Sequence, residues 1–330
     1  MTSVTEPPER APIPRTDATK AALAAAVTMV LWSSAFVGIR AIGEVFSPAP
    51  LALLRLAVAS VTLTVLIGSS TRRLPPLPRD RTSWLFVASY GVLWLCCYTV
   101  ALNAAELHLD AGTAALLVNI APLLVTFGAG VVLAEGFPRP LLLGGSIGMS
   151  GIVIIGLGTD GEGDWIGVAL CLLAAVLYAA GVLIQKKALD RIDATTITWL
   201  GCLIGTAVLL PWTPRLASEL ATAPTSAVLG AVYLGVFPTA IGFSTWAYAL
   251  KRTEAGRLSV STYAVPALSV VLSWVLLAEV PTGYGLVGGV VCLAGVAVSR
   301  YRPRRAVTGT NTVAPDTATR PCEPPERQPR

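Results

Sequence analysis

Apolar residues in this chain come in ten long runs of roughly 19 to 24 residues, separated by short stretches where charge and proline collect. The runs fall near 21–43, 49–68, 83–103, 112–134, 140–158, 165–185, 195–213, 226–249, 257–278 and 281–299. Each is long enough for a helix to cross a hydrocarbon core of about 30 Å and too long for an ordinary strand. The pattern predicts an all-α integral membrane protein with ten transmembrane helices. Residues 1–20 hold Pro7, Pro8, Pro12 and Pro14 among mixed charges and read as a disordered lead. The first run starts too late and runs too long for a cleaved signal peptide, so it reads as a retained span. From Arg302 the chain turns polar and rich in Pro and Thr, and 302–330 reads as a disordered tail.

A second pattern organises the first. Residues 111–151 recur 144 positions later, with twelve of 41 positions identical and no gap. Ala111-Gly112 falls on Ala255-Gly256, Pro122 on Pro266, Ala134-Glu135 on Ala278-Glu279, and Gly144-Gly145 on Gly288-Gly289. Leucine matching leucine follows from composition, but a proline, a glutamate and a glycine pair in one register do not. The chain thus divides into two five-helix repeats, 21–158 and 165–301. Five is odd, so the second repeat enters the membrane upside down. Basic residues set the orientation. Arg72, Arg73, Arg79 and Arg81 lie between the second and third runs, Lys186, Lys187 and Arg191 follow the sixth, Lys251, Arg252 and Arg257 follow the eighth, and Arg300, Arg302, Arg304 and Arg305 follow the tenth. The alternate loops at Glu106–Asp110 and Thr159–Asp164 hold no Lys or Arg. The positive-inside rule then places both termini in the cytoplasm. An inverted repeat is the layout of many secondary carriers, because two halves of opposite orientation can exchange conformations about a site between them.

Composition narrows the function. Of 330 residues 54% are apolar and 13% charged, too little charge to cover a soluble domain of this size. The net charge of +5 lies in loops between runs rather than on one face, which fits a lipid bilayer and not nucleic acid. Cys96, Cys97, Cys171, Cys202 and Cys292 sit inside apolar runs, without paired spacing for a disulfide or zinc. Gly283 to Gly288 spells GxGxxG, but it opens an apolar run and follows no strand. Gly144 to Gly148 spells GxSxG, yet His108 is the one histidine and lies in a loop. No Walker motif is present. The reading is therefore not an enzyme, with no cofactor and no metal; a membrane-embedded enzyme or sensor is the rival, and it lacks a catalytic constellation.

The chain also resembles the EamA-type transporters of the drug/metabolite transporter superfamily over roughly residues 20 to 300. The resemblance rests on Leu31-Trp32-Ser33-Ser34-Ala35-Phe36 with Arg40, on Pro50 through Arg55, on Pro122 followed by Ala134-Glu135, on Trp246 through Lys251, and on Pro266 followed by Ala278-Glu279. It implies a ten-helix inverted-repeat carrier of small metabolites, often amino acids and related compounds, frequently outward, in the plasma membrane as a monomer or homodimer. It also implies that helices one, three, four, six, eight and nine line the cavity, with five and ten outside it.

Candidate residues follow from position. Trp32, Tyr98, Tyr178, Trp246 and Tyr248 lie on those cavity helices and fit a pocket for a small amphipathic molecule; Ser34 neighbours the first of these rings. Asn119, Thr262 and Tyr263 are among the polar groups nearest mid-membrane, and buried polar groups need partners. Pro122 and Pro266 each stand mid-run and remove a backbone hydrogen bond, as a hinge or as a static kink. Arg40 and Arg55, against the positive-inside bias, read either as snorkelling to outer headgroups or as an electropositive vestibule, with Glu44 as a possible pair. Glu135 and Glu279 end helices and read as structural carboxylates. GxxxG spacing at Gly144/Gly148 and Gly285/Gly289 reads as packing within each half. No carboxylate falls mid-run, so the expected mode is a facilitator or exchanger, or coupling through a residue at a span end such as Glu135.

Overall fold

The computed structural model describes residues 15–71, 75–108, 117–157, 165–277 and 283–300, and among these every regular element is a helix. In chain order they are α1 (Arg15–Ile42), α2 (Pro48–Thr71), α3 (Arg81–Ala105), α4 (Ala121–Val132), α5 (Arg139–Gly156), α6 (Trp165–Ala188), α7 (Ala194–Thr222), α8 (Thr225–Arg252), α9 (255–277) and α10 (Gly283–Arg300). Six of these (α1, α2, α3, α6, α7 and α8) are long and apolar enough to cross a membrane; α4 and Leu286–Ser299 of α10 are shorter apolar helices. Large apolar side chains stay exposed on the outer faces, as Val61, Val65 and Leu66 on α2 and Val287 and Val290 on α10 do. A protein in water does not leave such a belt uncovered; lipid covers it.

Helix ends are finished by side chains. Asp80 accepts from the Ser83 amide at 2.8 Å, and Asp193 from the amides of Thr195 and Thr196 at 3.0 and 2.9 Å. The Glu219 carboxylate on α7 accepts the Ser47 amide at 3.0 Å, capping α2 from another helix. Glu135 does the same for α9, accepting the amides of Ala255 at 2.8 Å and Gly256 at 3.1 Å. It reaches them from a tight turn in which Ala134 (φ 54°) and Gly136 (φ 72°) are both left-handed. Glu135 thus stands as a helix-capping carboxylate between the two parts of the chain; Glu279 lies outside the described residues.

The helices pack in a regular set of pairs. α1 packs on α8 and α9, and α6 on α3 and α4; α2 packs on α7 and α8, and α7 on α3; α4 meets α9, and α5 meets α10. Backbone irregularities recur as well. Wider π-helical turns occupy Gly91–Tyr98 of α3 and Gly235–Ile241 of α8, beginning 144 positions apart. A turn at Asn119–Ile120 precedes α4, and a 3-10 turn spans Ser261–Tyr263 of α9. Pro122 consequently stands in the first turn of α4, where a missing amide hydrogen removes no intrahelical bond, rather than mid-helix. Pro266 is the third residue after the 3-10 turn.

α5 and α10 run antiparallel along a seam of small residues. A Cβ added to Gly144 would lie 2.5 Å from the Gly295 carbonyl oxygen, and one on Gly151 would lie 2.7 Å from that of Gly288. Gly144 and Gly148 therefore serve contact between the two parts of the chain, against the expectation of packing within one. The reason is geometric: small residues permit backbones to approach this closely, and the facing stripe belongs to α10.

Two outcomes follow. Gly295→Val, whose Cβ would fall 2.4 Å from the Gly148 amide nitrogen, is expected to lower the yield of folded, monodisperse protein severely. Glu135→Ala, by uncapping α9, is expected to cost about 1–2 kcal/mol, read as a lower midpoint of thermal unfolding in detergent, with Glu135→Gln recovering part of it.

Candidate functional site

Where the irregular turns meet, the chain encloses a cavity of about 750 Å³, its mouth included. α1 supplies Trp32, Phe36 and Ile39; α2 supplies Arg55; α3 supplies Trp94, Tyr98 and Thr99. Val118, Asn119 and Pro122 come from the turn before α4 and its first residues, Tyr178 from α6, Pro238 and Phe243 from α8, and Thr262 and Val265 from α9. α5 and α10 contribute nothing among the described wall residues.

The wall is built on aromatic contacts. Trp32 is at the centre, with ring centroids 5.0 Å from Trp246, 5.3 Å from Phe243 and 6.3 Å from both Trp94 and Tyr178. Trp94 lies 5.1 Å from Tyr178 edge-on, and Tyr98 lies 5.9 Å from Tyr178. Most of these contacts are edge-to-face, the arrangement ring quadrupoles favour. The π-helical turn of α3 adds a residue to the helical repeat and carries both Trp94 and Tyr98 inward, a common use of such turns at functional sites.

Of the residues singled out from sequence, Trp32, Arg55, Tyr98, Asn119, Pro122, Tyr178 and Thr262 meet at this wall. Others do not. Trp246 is fully buried behind Trp32. Ser34 turns to the Tyr233 hydroxyl at 2.7 Å. Tyr248 lies under the Arg252 guanidinium, 3.6 Å from its ring centre. Tyr263 is buried against Gly148 of α5, and Pro266 is buried beside the wall residue Val265. Arg40 belongs to α1, but its side chain lies outside the described residues.

Sequence reasoning missed Trp94, Phe243 and Pro238. A signal existed: Gly91 and Gly235 fall in the 144-residue register, so extending the repeat upstream of 111 marks Trp94 and Pro238 as equivalents. It missed Glu106 too, placing it in a loop. Arg55 is 8% exposed, and its Nε has no hydrogen-bond partner; neither have the indole nitrogens of Trp32 and Trp94. Glu106, the first residue past α3, lies within electrostatic range of Arg55, Tyr98 and Cys171, and its Oε1 is buried without a partner. Burial pushes its carboxyl up to about 7, and Arg55 offsets only part of that rise.

Comparison with known proteins decides the family. The model of the EamA-like transporter family matches residues 19–157 and again 165–301. The chain belongs to the EamA-like transporter family. It is a multi-pass membrane protein of the cell membrane and a transporter by family, which speaks against an enzyme. It is 36% identical over 284 residues to a protein of Streptantibioticus cattleyicolor named "Probable terminal-alkyne amino-acid exporter", covering 86% of this chain and 94% of that one. It is 34% identical over 270 residues to the "Uncharacterized transporter YdfC" of Bacillus subtilis, covering 81% and 86%. A "Probable amino-acid metabolite efflux pump" of Salmonella typhimurium is 24% identical over 216 residues, covering 61% and 72%. A solved crystal structure 21% identical to this EamA-like chain superposes with a TM-score of 0.70 over 86% of it and 97% of the other, a likeness of fold alone.

Trp94 is fully buried among Tyr90, Trp32, Tyr178, Phe243 and Trp246. Trp94→Ala is expected to destabilise the protein by about 3–5 kcal/mol in thermal or denaturant unfolding, with Trp94→Phe recovering most of the loss.

Proposed function

We propose that this protein is a secondary carrier that exports small metabolites, amino acids or related compounds among them, by alternating access. On this reading the repeats 21–158 and 165–301 are inverted five-helix units, the chain crosses the membrane ten times, and both termini are cytoplasmic. The observation that carries the proposal is the composition of the cavity wall. α1, α2, α3 and the turn before α4 face α6, α8 and α9, so one chain supplies both sides of a site lying between the proposed repeats. A monomer suffices.

The packing supports the inversion. Renumbering α1–α5 as α6–α10 turns the α1–α8 contact into α6–α3, α1–α9 into α6–α4, and α2–α8 into α7–α3, each of which occurs. The α5–α10 seam behaves as a two-fold contact should. Gly144 meets Gly295, the equivalent of Gly151, while Gly151 meets Gly288, the equivalent of Gly144. Equivalent helices crossing antiparallel support a pseudo-two-fold axis in the membrane plane.

The names of the relatives favour amino-acid-like solutes and the outward direction. The wall is aromatic with a few polar groups, which suits a molecule with an apolar body and a polar end. Trp32, Tyr98, Asn119, Tyr178 and Thr262 are its proposed contacts, Pro122 and Pro266 mark the proposed flexing points, and Arg40 extends the pathway. Transport needs no gradient but the solute's own.

The test is counterflow of pooled labelled amino acids into liposomes holding the purified protein. Specific accumulation is expected, reduced roughly tenfold or more by Trp32→Ala and by Asn119→Ala and unchanged by Tyr248→Ala, which lies away from the wall. Equal flux through all variants would rule the cavity out as the pathway.

A further inference from the structure

We propose that Arg55 is a binding subsite for the carboxylate of the transported solute, and that Glu106 is its resident counter-charge when the cavity is empty. The inference rests on the cavity being the substrate site, as proposed above, and names what that site recognises.

Arg55 is the one charged side chain among the described wall residues. A guanidinium has no neutral alternative at working pH, so it stays charged although it is 8% exposed. Its Nε is buried without a hydrogen-bond partner. A fixed positive charge with an unpaired donor beside a cavity calls for an anion with planar, paired acceptors, which a carboxylate is. Rings of α1, α3 and α6 beside it would take the apolar remainder of the molecule. A neutral amide of the same shape offers Arg55 only an uncharged acceptor and an amine offers none, so a site built around this charge-assisted contact disfavours both.

Glu106, at the end of α3, lies within electrostatic range of Arg55 without a hydrogen bond to its Nε. The groups in electrostatic contact with it are Arg55 from α2, Tyr98 from α3 and Cys171 from α6, and His108 follows two residues later on its own turn. Arg55 is the sole cation among the described partners of its carboxylate. A solute carboxylate arriving at Arg55 takes over that cation and meets the like charge of Glu106. Binding is therefore linked to protonation of Glu106. The sign is fixed: above about 7 the ionised Glu106 competes for Arg55, and as pH falls through about 7 it gains a proton and releases the site. Affinity for acids rises as pH falls, and acid binding takes up protons.

The test uses the purified full-length protein in lipid nanodiscs, with binding read from tryptophan emission, to which Trp32 and Trp94 on the wall contribute. The probes are L-leucine, L-methionine and L-phenylalanine, their carboxamides, and the corresponding acids lacking the amino group. Both sets of acids are expected to bind about tenfold or more tighter than the carboxamides. Arg55→Gln abolishes that preference while carboxamide binding persists, and Arg55→Lys keeps part of it, so a folded pocket is verified in the same titration. In the wild type acid affinity rises from about pH 8 to about pH 6; in Glu106→Gln it is higher and flat. Equal binding of acids and carboxamides by the wild type, or a preference that survives Arg55→Gln, overturns the inference while leaving the cavity reading intact. If Glu106→Gln weakens the amino acids and spares the acids without an amino group, Glu106 is an ammonium partner and the counter-charge role is wrong. Silence of the wild type toward every probe removes the cavity reading, and this inference with it.

Discussion

Hydrocarbon offers no partner to an unpaired backbone amide or carbonyl, and the organisation of this chain depends on that. Helices satisfy these groups internally, so apolar runs become helices, and irregular backbone survives only where protein surrounds it. The irregular places here cluster accordingly. The π-helical turns Gly91–Tyr98 and Gly235–Ile241, the turn at Asn119–Ile120 and the 3-10 turn Ser261–Tyr263 each contribute a residue to the cavity wall: Trp94 and Tyr98, Pro238, Asn119, and Thr262. The cavity is where the chain departs from regular helix, and the departures bring the polar and aromatic groups together.

The two parts of the chain touch in two different ways. Along α5 and α10 backbones meet through glycine, with only small side chains such as Ser299 and Cys292 beside them. Around α1 and α6 they meet through large rings that pack edge-on, with the cavity between. In the proposed carrier the glycine seam is the fixed element and the aromatic side is the one that opens. Glu135, reaching from the end of α4 to the first amides of α9, adds an end-cap to the packing of those two helices.

Much of this was legible in the sequence. Run lengths marked the helices, and the register of Pro122, Glu135 and the glycine pair with their partners 144 positions later marked the repeat. Trp32, Tyr98, Asn119 and Tyr178 were recognised because ring or amide sits on a span predicted to be internal. Trp246 and Tyr263 were assigned to the pocket and lie behind it, because spacing fixes a helix but not its rotation, and the π-helical turns alter rotation by a full residue. Pro122 was expected to kink a helix from within and instead begins one. Glu106 escaped notice for a different reason. A short polar stretch between two spans reads as solvated loop, and nothing in the sequence shows that the first residue of such a stretch continues the helix and buries a carboxylate oxygen.

Several other charged groups among the described residues finish structure. Asp80, Asp193, Glu135 and Glu219 accept from helix amides, and the Lys186 ammonium donates to the carbonyls of Leu250 at 2.6 Å and Thr253 at 2.5 Å. Asp80 and Asp193 stay exposed to water, and the half-buried Glu135, Glu219 and Lys186 gain hydrogen bonds that offset their partial loss of it. Arg55 is buried more deeply than any of them, and its Nε finds no such partner. Removing a guanidinium from water costs several kcal/mol when its hydrogen-bonding capacity goes unmet. A Leu or Met in its place would pack at no such cost, so stability does not account for it. What distinguishes the position is the empty space in front of it: the deficit is one that a molecule entering from outside the fold can satisfy, and the favourable free energy of doing so goes to binding.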